Sequence, residues 1–230
     1  MSGPASSTRT VERALALLGE VCADGALTLA EAARRTGLAA STALRLLRTL
    51  ESAGFVSRAE DGTFAPGVRT VQLGALALGR QSLVTQVQPS LQRIVALTGE
   101  SAYFVISGPS GTALYLAMAE GTHAIRHTSW VGRAIDLEDL AVGRALHGDV
   151  PSSGYVAQRD RIEPDVTAIA APIRWADGVA GALNLLGPTY RIDEQTMHQY
   201  GEIVAAEAAA ISAELGSHAT EAARRLQEAQ

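Results

Sequence analysis

Five side chains in the first quarter of the chain could do chemistry as a set: the hydroxyls of Ser41 and Thr42 and the guanidinium groups of Arg45, Arg48 and Arg58. Hydroxyls bond phosphates or several kinds of base edge, and an arginine fork can hold a guanine through two acceptors at once, a pairing worth about 1–3 kcal/mol of discrimination. The chemistry these types suit is recognition of a double helix, with Arg45 reading bases and Arg58 reaching phosphate. A solvated helix face that happens to carry two arginines would look the same in isolation. The weight of the reading therefore falls on the elements around it.

Those elements agree. Thr28, with Glu31 three residues later and an apolar-periodic run behind it, predicts a helix opened by a capping box, in which hydroxyl and carboxylate satisfy each other's backbone donors. Leu29, Ala32 and Ala33 share a face of that helix, and Gly37 should end it, since glycine tolerates the left-handed conformation of a C-cap. Leu38 then packs inward. Ala40 or Ser41 opens a second helix whose stripe is Leu44, Leu47 and Leu50, leaving Ser41, Thr42, Arg45 and Arg48 mainly on other faces. A tight pair of this kind places its second helix in the major groove, with residues near the N-terminus meeting base edges. Upstream, Val11 to Val21 predicts an amphipathic helix with Leu15 and Leu18 inward. Downstream, the runs 54–58 and 63–65 flank Asp61-Gly62, a strong hairpin signal, and so predict a small β wing. Gly67-Val68-Arg69-Thr70 leads into a helical run that reaches about Arg80.

The stretches TVERALALLGEV, LTLAEAARRTGLAASTALRLLRTLESAGFV and DGTFAPGVRTVQLG resemble the N-terminal half of an IclR-family transcriptional regulator, and EPDVTAIAAPIR and ALNLLGP resemble that family's effector domain. The resemblance implies an α+β protein. A winged helix-turn-helix domain would occupy residues 1–67 and a linker helix residues 68–82. A GAF-like effector-binding and oligomerisation domain, an antiparallel sheet flanked by helices, would occupy residues 83–230. It also implies double-stranded operator DNA and a small-molecule effector as partners, no cofactor, and assembly as a homodimer or homotetramer. One departure touches DNA directly: Ala39 and Ala40 stand where relatives often have proline and lysine, which removes one phosphate contact.

Composition fits without discriminating. The chain has 230 residues, 47% of them hydrophobic, enough for two modest cores. No apolar span reaches membrane length and residues 1–10 lack a basic start before an apolar run, so the expectation is a cytoplasmic protein with no membrane partner. The single Cys22 is expected to be a small buried residue, and alone it cannot close an intrachain disulfide. Net charge is −5, yet residues 1–80 hold nine arginines against seven acids, a net +2, while the remaining ten arginines face seventeen acids, a net −7. The positive excess lies where DNA would bind. Every basic side chain except histidine is arginine, which we read as compositional bias.

In the second half, Gln86 to Leu97 predicts a helix ended by Thr98-Gly99. Ser101–Ser107 and Ala113–Ala119 form a hairpin around Gly108-Pro109-Ser110-Gly111, and Ala124–Trp130 a third strand. Leu140–His147 is a short helix, Val166–Ile173 and Val179–Leu186 a second hairpin around Asp177-Gly178, and Asp193 caps a long Ala-rich final helix. The family resemblance places the effector between the sheet and the loop and short helix after the third strand. The matching positions are Ile135, Leu137, Leu140 and Ala141 on the helix side and Val166, Ala168, Asn184 and Leu186 on the sheet side. Gly143, Ala145 and Leu146 keep the family's small-residue helix.

That lining is unusually apolar, Asn184 being its one polar member. Asp136, Glu138 and Asp139 at the helix start would repel a small anion. An aromatic or otherwise largely apolar effector is therefore expected, oriented by Asn184 and backbone amides, although the same residues would also simply fill a core. Only HGDVPSSG separates Leu146 from Tyr155, where the family has a longer helical excursion, so the chamber is expected to be open or covered by a neighbouring subunit, with Trp130 and Tyr155 as replacement walls.

Enzymatic readings find little. The acids at 136–139 suit helix capping through the macrodipole. His123 and His127, read on a strand, would stand about 13 Å apart, too far to share a metal. Ser107 and Ser110 lack the strand-to-helix elbow of a nucleophilic serine. No catalytic set and no metal site is expected. The leading reading is a ligand-responsive DNA-binding regulator, a repressor on a pseudo-palindromic operator. A sensor or interaction module whose winged helix serves assembly stays open beside it.

Overall fold

Leu17 and Val21, one turn apart on a first helix, anchor the small N-terminal core. A computed structural model describes residues 5–80, 82–108, 111–127, 129–137, 139–175 and 178–228, and the chain divides into two compact units, Met1–Gln81 and Ser82–Gln230. In the first unit, α1 (Ala5–Asp24), α2 (Leu29–Thr36) and α3 (Ala40–Ser52) precede a hairpin of β1 (Val56–Arg58) and β2 (Phe64–Pro66), and α4 (Val68–Arg80) follows. Thr28 Oγ1 accepts from the Glu31 amide at 3.2 Å, and Gly37 closes α2 with φ of 64°. Half of the expected capping box is made. The Glu31 carboxylate turns instead to Arg34 and Arg35, whose hydrogen bonds hold it below its usual range.

The core is assembled from Ala32, Ala43, Leu46, Leu47, Val56 and Phe64, with Leu27 and Phe64 exchanging backbone hydrogen bonds. Each fully buried side chain the size of Leu47 or Phe64 contributes about 1.5–3 kcal/mol. Two expected faces were misplaced. Leu15 is exposed and Leu17 takes its place, while Leu46 joins Leu47 in the α3 stripe and Leu44 and Leu50 lie at its margin. Cys22 is exposed, contrary to expectation, because Val21 occupies the inward position beside it.

The second unit is a six-stranded antiparallel sheet in the order β5-β4-β3-β8-β7-β6. Its strands are β3 (Ser101–Ser107), β4 (Thr112–Ala119), β5 (Ala134–Asp136), β6 (Val156–Arg159), β7 (Val166–Trp175) and β8 (Gly178–Pro188). Strand alternation gives the sheet two inward faces. Phe104, Ile169, Leu183 and Leu185 meet α5 (Ser82–Thr98) and α7 (Glu194–Glu228), and Tyr103, Ala168, Ala182 and Leu186 meet α6 (Ala141–Leu146). Central strands covered on both faces read as near-continuous apolar runs, as β7 and β8 do. Asp193 caps α7 by accepting from the Thr196 amide at 2.8 Å. Glu100, fully buried, is held by Arg191 at 2.6 and 3.1 Å.

Three expectations on this sheet are corrected. Residues 124–130 form no strand among those described, because His127 and Trp130, three residues apart, both turn inward, which strand alternation forbids. The strand beside β4 is β5, paired Thr112 to Asp136, and β6 at the opposite edge was not anticipated. The third correction concerns α5, which starts four residues before Gln86 and runs through Pro89. Pro109, Ser110, Glu138 and Asp177, on which turn and capping expectations fell, lie outside the described residues. The N-cap of α6 is Leu140, with no side-chain cap. Asp136 belongs to β5 and Asp139 pairs with Arg161 at 3.5 Å, so neither supplies the expected cap.

Candidate functional site

Burying Ala43, Leu46 and Leu47 turns the reverse face of α3 outward, and Ser41, Arg45 and Arg48 then follow one another along it at helical spacing. A shallow depression of about 400 Å³ runs along this ridge. Thr42 is half-buried to one side. Arg58 projects from β1, its guanidinium 5.6 Å above the Phe64 ring. Charge pairing separates these arginines from their neighbours. Arg34 and Arg35 on α2 are engaged by Glu31, Asp24 and Glu20, whereas Arg45, Arg48 and Arg58 face no carboxylate among the described residues. Three unneutralised cations on a helix and its adjacent wing make a surface suited to a polyanion.

In the second unit all eight expected effector positions come together. Leu137, Ala141, Ala168 and Leu186 are buried in the cluster beneath α6, Ile135, Leu140 and Val166 pack against it, and Asn184 Nδ2 donates to the Tyr115 hydroxyl at 3.1 Å within it. Gly143 permits the close seat of α6, since a Cβ there would strike the Leu137 carbonyl oxygen. Four rings join the cluster beneath α6: Tyr103, Tyr115 and His127, which sequence reasoning did not place there, and Trp130, which it expected only as a wall. The tyrosines stand on the α6 side of the first hairpin, where the register sets Tyr103 opposite Met118 and Tyr115 opposite Val105 with a bulge between them, so alternation along each strand could have placed both on one face but not against each other. No periodicity marks the other two. Burial pushes both tyrosine hydroxyls above the ordinary phenol range, with the Asn184 hydrogen bond drawing that of Tyr115 partly back.

Trp130 therefore lies inside the cluster rather than forming an outer wall. Tyr155 lies on the other side of the sheet, hydrogen-bonded to His198 Nδ1 of α7 at 2.7 Å, and is no wall of this chamber. The short connector at 147–154 rounds the edge, with Val150 in the α6 cluster and Gly154 near Ala205 of α7. A cleft of about 550 Å³ opens beside the chamber, with Ile125, His127, Val166, Pro188 and Tyr190 on its walls. The two histidines diverge: His127 Nδ1 meets the Tyr103 hydroxyl at 2.8 Å and His123 lies 3.8 Å from Glu100. Among the described residues no group of three or more potential ligands could hold a metal ion.

The IclR helix-turn-helix domain matches residues 10–60, and the bacterial transcriptional regulator IclR C-terminal domain matches residues 148–213. The chain belongs to the IclR family. It is similar to the HTH-type transcriptional regulator BhcR of Paracoccus denitrificans, at 27% identity covering 85% of this chain and 83% of that protein. It is also similar to the transcriptional repressor IclR of Escherichia coli, at 28% identity covering 60% of this chain and 52% of that protein. The fold is shared with an IclR homolog from Microbacterium hydrocarbonoxydans solved with 4-hydroxybenzoate, with a TM-score of 0.70, 23% identity, and coverage of 90% of this chain and 98% of that one. This IclR-family chain is thus a transcriptional regulator, with a DNA-binding helix-turn-helix followed by an effector-binding domain, and its relatives are regulators, not enzymes. Among the described residues no helix is long and apolar enough to cross a membrane.

Proposed function

We propose that the chain is a cytoplasmic repressor that binds a pseudo-palindromic operator as a homodimer or homotetramer and is controlled by a small aromatic or largely apolar metabolite. The observation that carries the DNA half is the outward row of Ser41, Arg45 and Arg48 with Arg58 beside it, cations without carboxylate partners among the described residues. In this reading Arg45 reads a base, Ser41 and Thr42 contact the groove or backbone, and Arg48 and Arg58 hold phosphates. Assembly is supported by large apolar side chains left exposed on α1 and α4, among them Val11, Leu15, Val68, Val71 and Leu76. Two copies would bury them and bring two recognition helices to two half-sites.

The effector half is supported by the chamber lined by Ile135, Leu137, Leu140, Ala141, Val166, Ala168, Asn184 and Leu186, and by the bound 4-hydroxybenzoate of a structural relative. The repressor sense is supported by the name of the Escherichia coli relative. Footprinting on genomic fragments that include the chain's own promoter tests the reading. A protected site with dyad symmetry at moderate salt is expected, and absence of sequence preference in every effector state would overturn it.

A further inference from the structure

Four rings beneath α6 form a closed circuit. Tyr103 to Tyr115 is 5.4 Å, Tyr115 to Trp130 5.5 Å, Trp130 to His127 4.3 Å and His127 to Tyr103 5.6 Å between centroids, every pair edge-to-face. Beside them Asn184, 1% exposed, donates Nδ2 to Tyr115, while its Oδ1 has no hydrogen-bond partner among the described residues. An orphaned buried acceptor keeps its desolvation cost uncompensated, which a ligand supplying a donor would relieve.

His127 and Trp130 belong to the connection between β4 and β5, which is tied at both ends and also before Trp130, where the Ile125 carbonyl accepts from Arg191 Nη2 at 2.6 Å and the His127 carbonyl from Ser101 Oγ at 3.1 Å. The Gly121 amide donates to Ser101 Oγ at 3.1 Å and the Thr122 amide to the Gly99 carbonyl at 2.9 Å. At the other end the Gly132 amide donates to the Tyr115 carbonyl at 2.8 Å. Between these ties the two rings plug the chamber. His127 and Val166 also line the 550 Å³ cleft, so the cleft meets the plugged chamber at His127.

We propose that Trp130 occupies the ligand's place: the effector is a neutral aromatic ring bearing a hydroxyl, which enters past His127, displaces the indole and hydrogen-bonds Asn184. This rests on the effector-site reading above. Tyr115 and His127 border the indole with their rings near perpendicular to it, a frame suited to another ring. The polar groups at hand are two tyrosine hydroxyls, the Ser101 hydroxyl, an imidazole and an amide. Arg126 on the cleft is already held by Glu120 at 2.7 Å, with Glu163 and Asp165 on the same walls, so a carboxylate would lose its hydration without an open counter-charge among the described residues. Rotating the Asn184 amide would exchange its open end from acceptor to donor, and a hydroxyl, which does both, suits either.

The test uses the full chain with Trp175→Phe, which leaves Trp130 as sole tryptophan, and phenol, toluene and benzoate as probes. Phenol is expected to shift Trp130 emission to longer wavelength and raise its quenching by acrylamide, with benzoate at least about tenfold weaker. Removing the internal occupant removes the cost of opening, so Trp130→Ala should tighten phenol about tenfold in calorimetry, with Trp130→Phe read alongside should the first fail to fold. Asn184→Leu should erase the preference for phenol over toluene. Phenol binding with unchanged emission and unchanged affinity in the Trp130 variants would overturn the displacement. The effector-site reading survives that result if Ala168→Phe still blocks phenol, and falls with it if Ala168→Phe does not. Benzoate binding as tightly as phenol, or phenol binding to none of these proteins, would overturn the proposed ligand class.

Discussion

Arg45 and Arg58 carry the same charge on different supports. Arg45 stands on a helix whose opposite face is pinned by Ala43, Leu46 and Leu47, so its guanidinium extends from a fixed axis as a groove reader requires. Arg58 lies over the Phe64 ring on a three-residue strand, a position from which it meets a backbone more readily than a base edge. Arg45→Ala should therefore relax discrimination at one base pair by about 1–3 kcal/mol. Arg58→Ala should weaken all sequences alike and lower the salt slope by about one. Competition binding with an operator and its single-base variants, repeated across salt concentrations, separates the two effects. If neither change alters binding, the contact assignment is wrong.

At the scale of elements, the wing and α4 are joined where space is shortest. The Gly67 amide donates to the Phe55 carbonyl at 2.8 Å, and a Cβ at Gly67 would strike the Gly54 carbonyl oxygen. Gly67→Ala should cost about 1–3 kcal/mol by overpacking against backbone, lowering the melting temperature of the first unit by about 4–8 °C per kcal/mol. Thermal unfolding of the variant reads this directly. In the second unit, Arg191→Leu should cost about 3–5 kcal/mol, because it strands the buried Glu100 carboxylate; denaturant titration of the variant measures the loss. Legibility followed the same division between local and tertiary causes. Gly37, Asp61-Gly62 and Asp193 act within a few residues and are legible in the chain, as is Thr28 as an N-cap, though the returning half of its capping box is lost to Arg34 and Arg35. Leu15 and Leu17, two residues apart, stand on nearly opposite faces of α1, and only the partner surface decides between them. β5 is three residues long and exists through its pairing with β4. The eight positions carried over from the family meet in one cluster, but Trp130 and His127, which fill it, belong to a segment whose inward turns have no period.

For the whole molecule the difficulty is charge. Residues 1–80 carry only +2 within a chain of net −5, and a second copy brings a further −5. Operator binding by one protomer would hold phosphates through Arg48 and Arg58, which at roughly 0.9 per phosphate gives a slope of log affinity against log salt of about −2. Two protomers on two half-sites double the contacts and should give about −4. The measured slope is expected to lie near the larger value, and affinity should fall at concentrations where sedimentation shows the oligomer dissociating. A slope no steeper than about −2 for a stable oligomer would mean that only one recognition helix engages. Coupling to the chamber adds a second constraint, because linkage is reciprocal. If an effector changes operator affinity by some factor, commonly about 5–150-fold, the operator must change effector affinity by the same factor. Titrating effector into free protein and into the operator complex checks this. Equal effector affinities in the two titrations, alongside operator release by the effector, would show that the release does not arise from binding at the chamber.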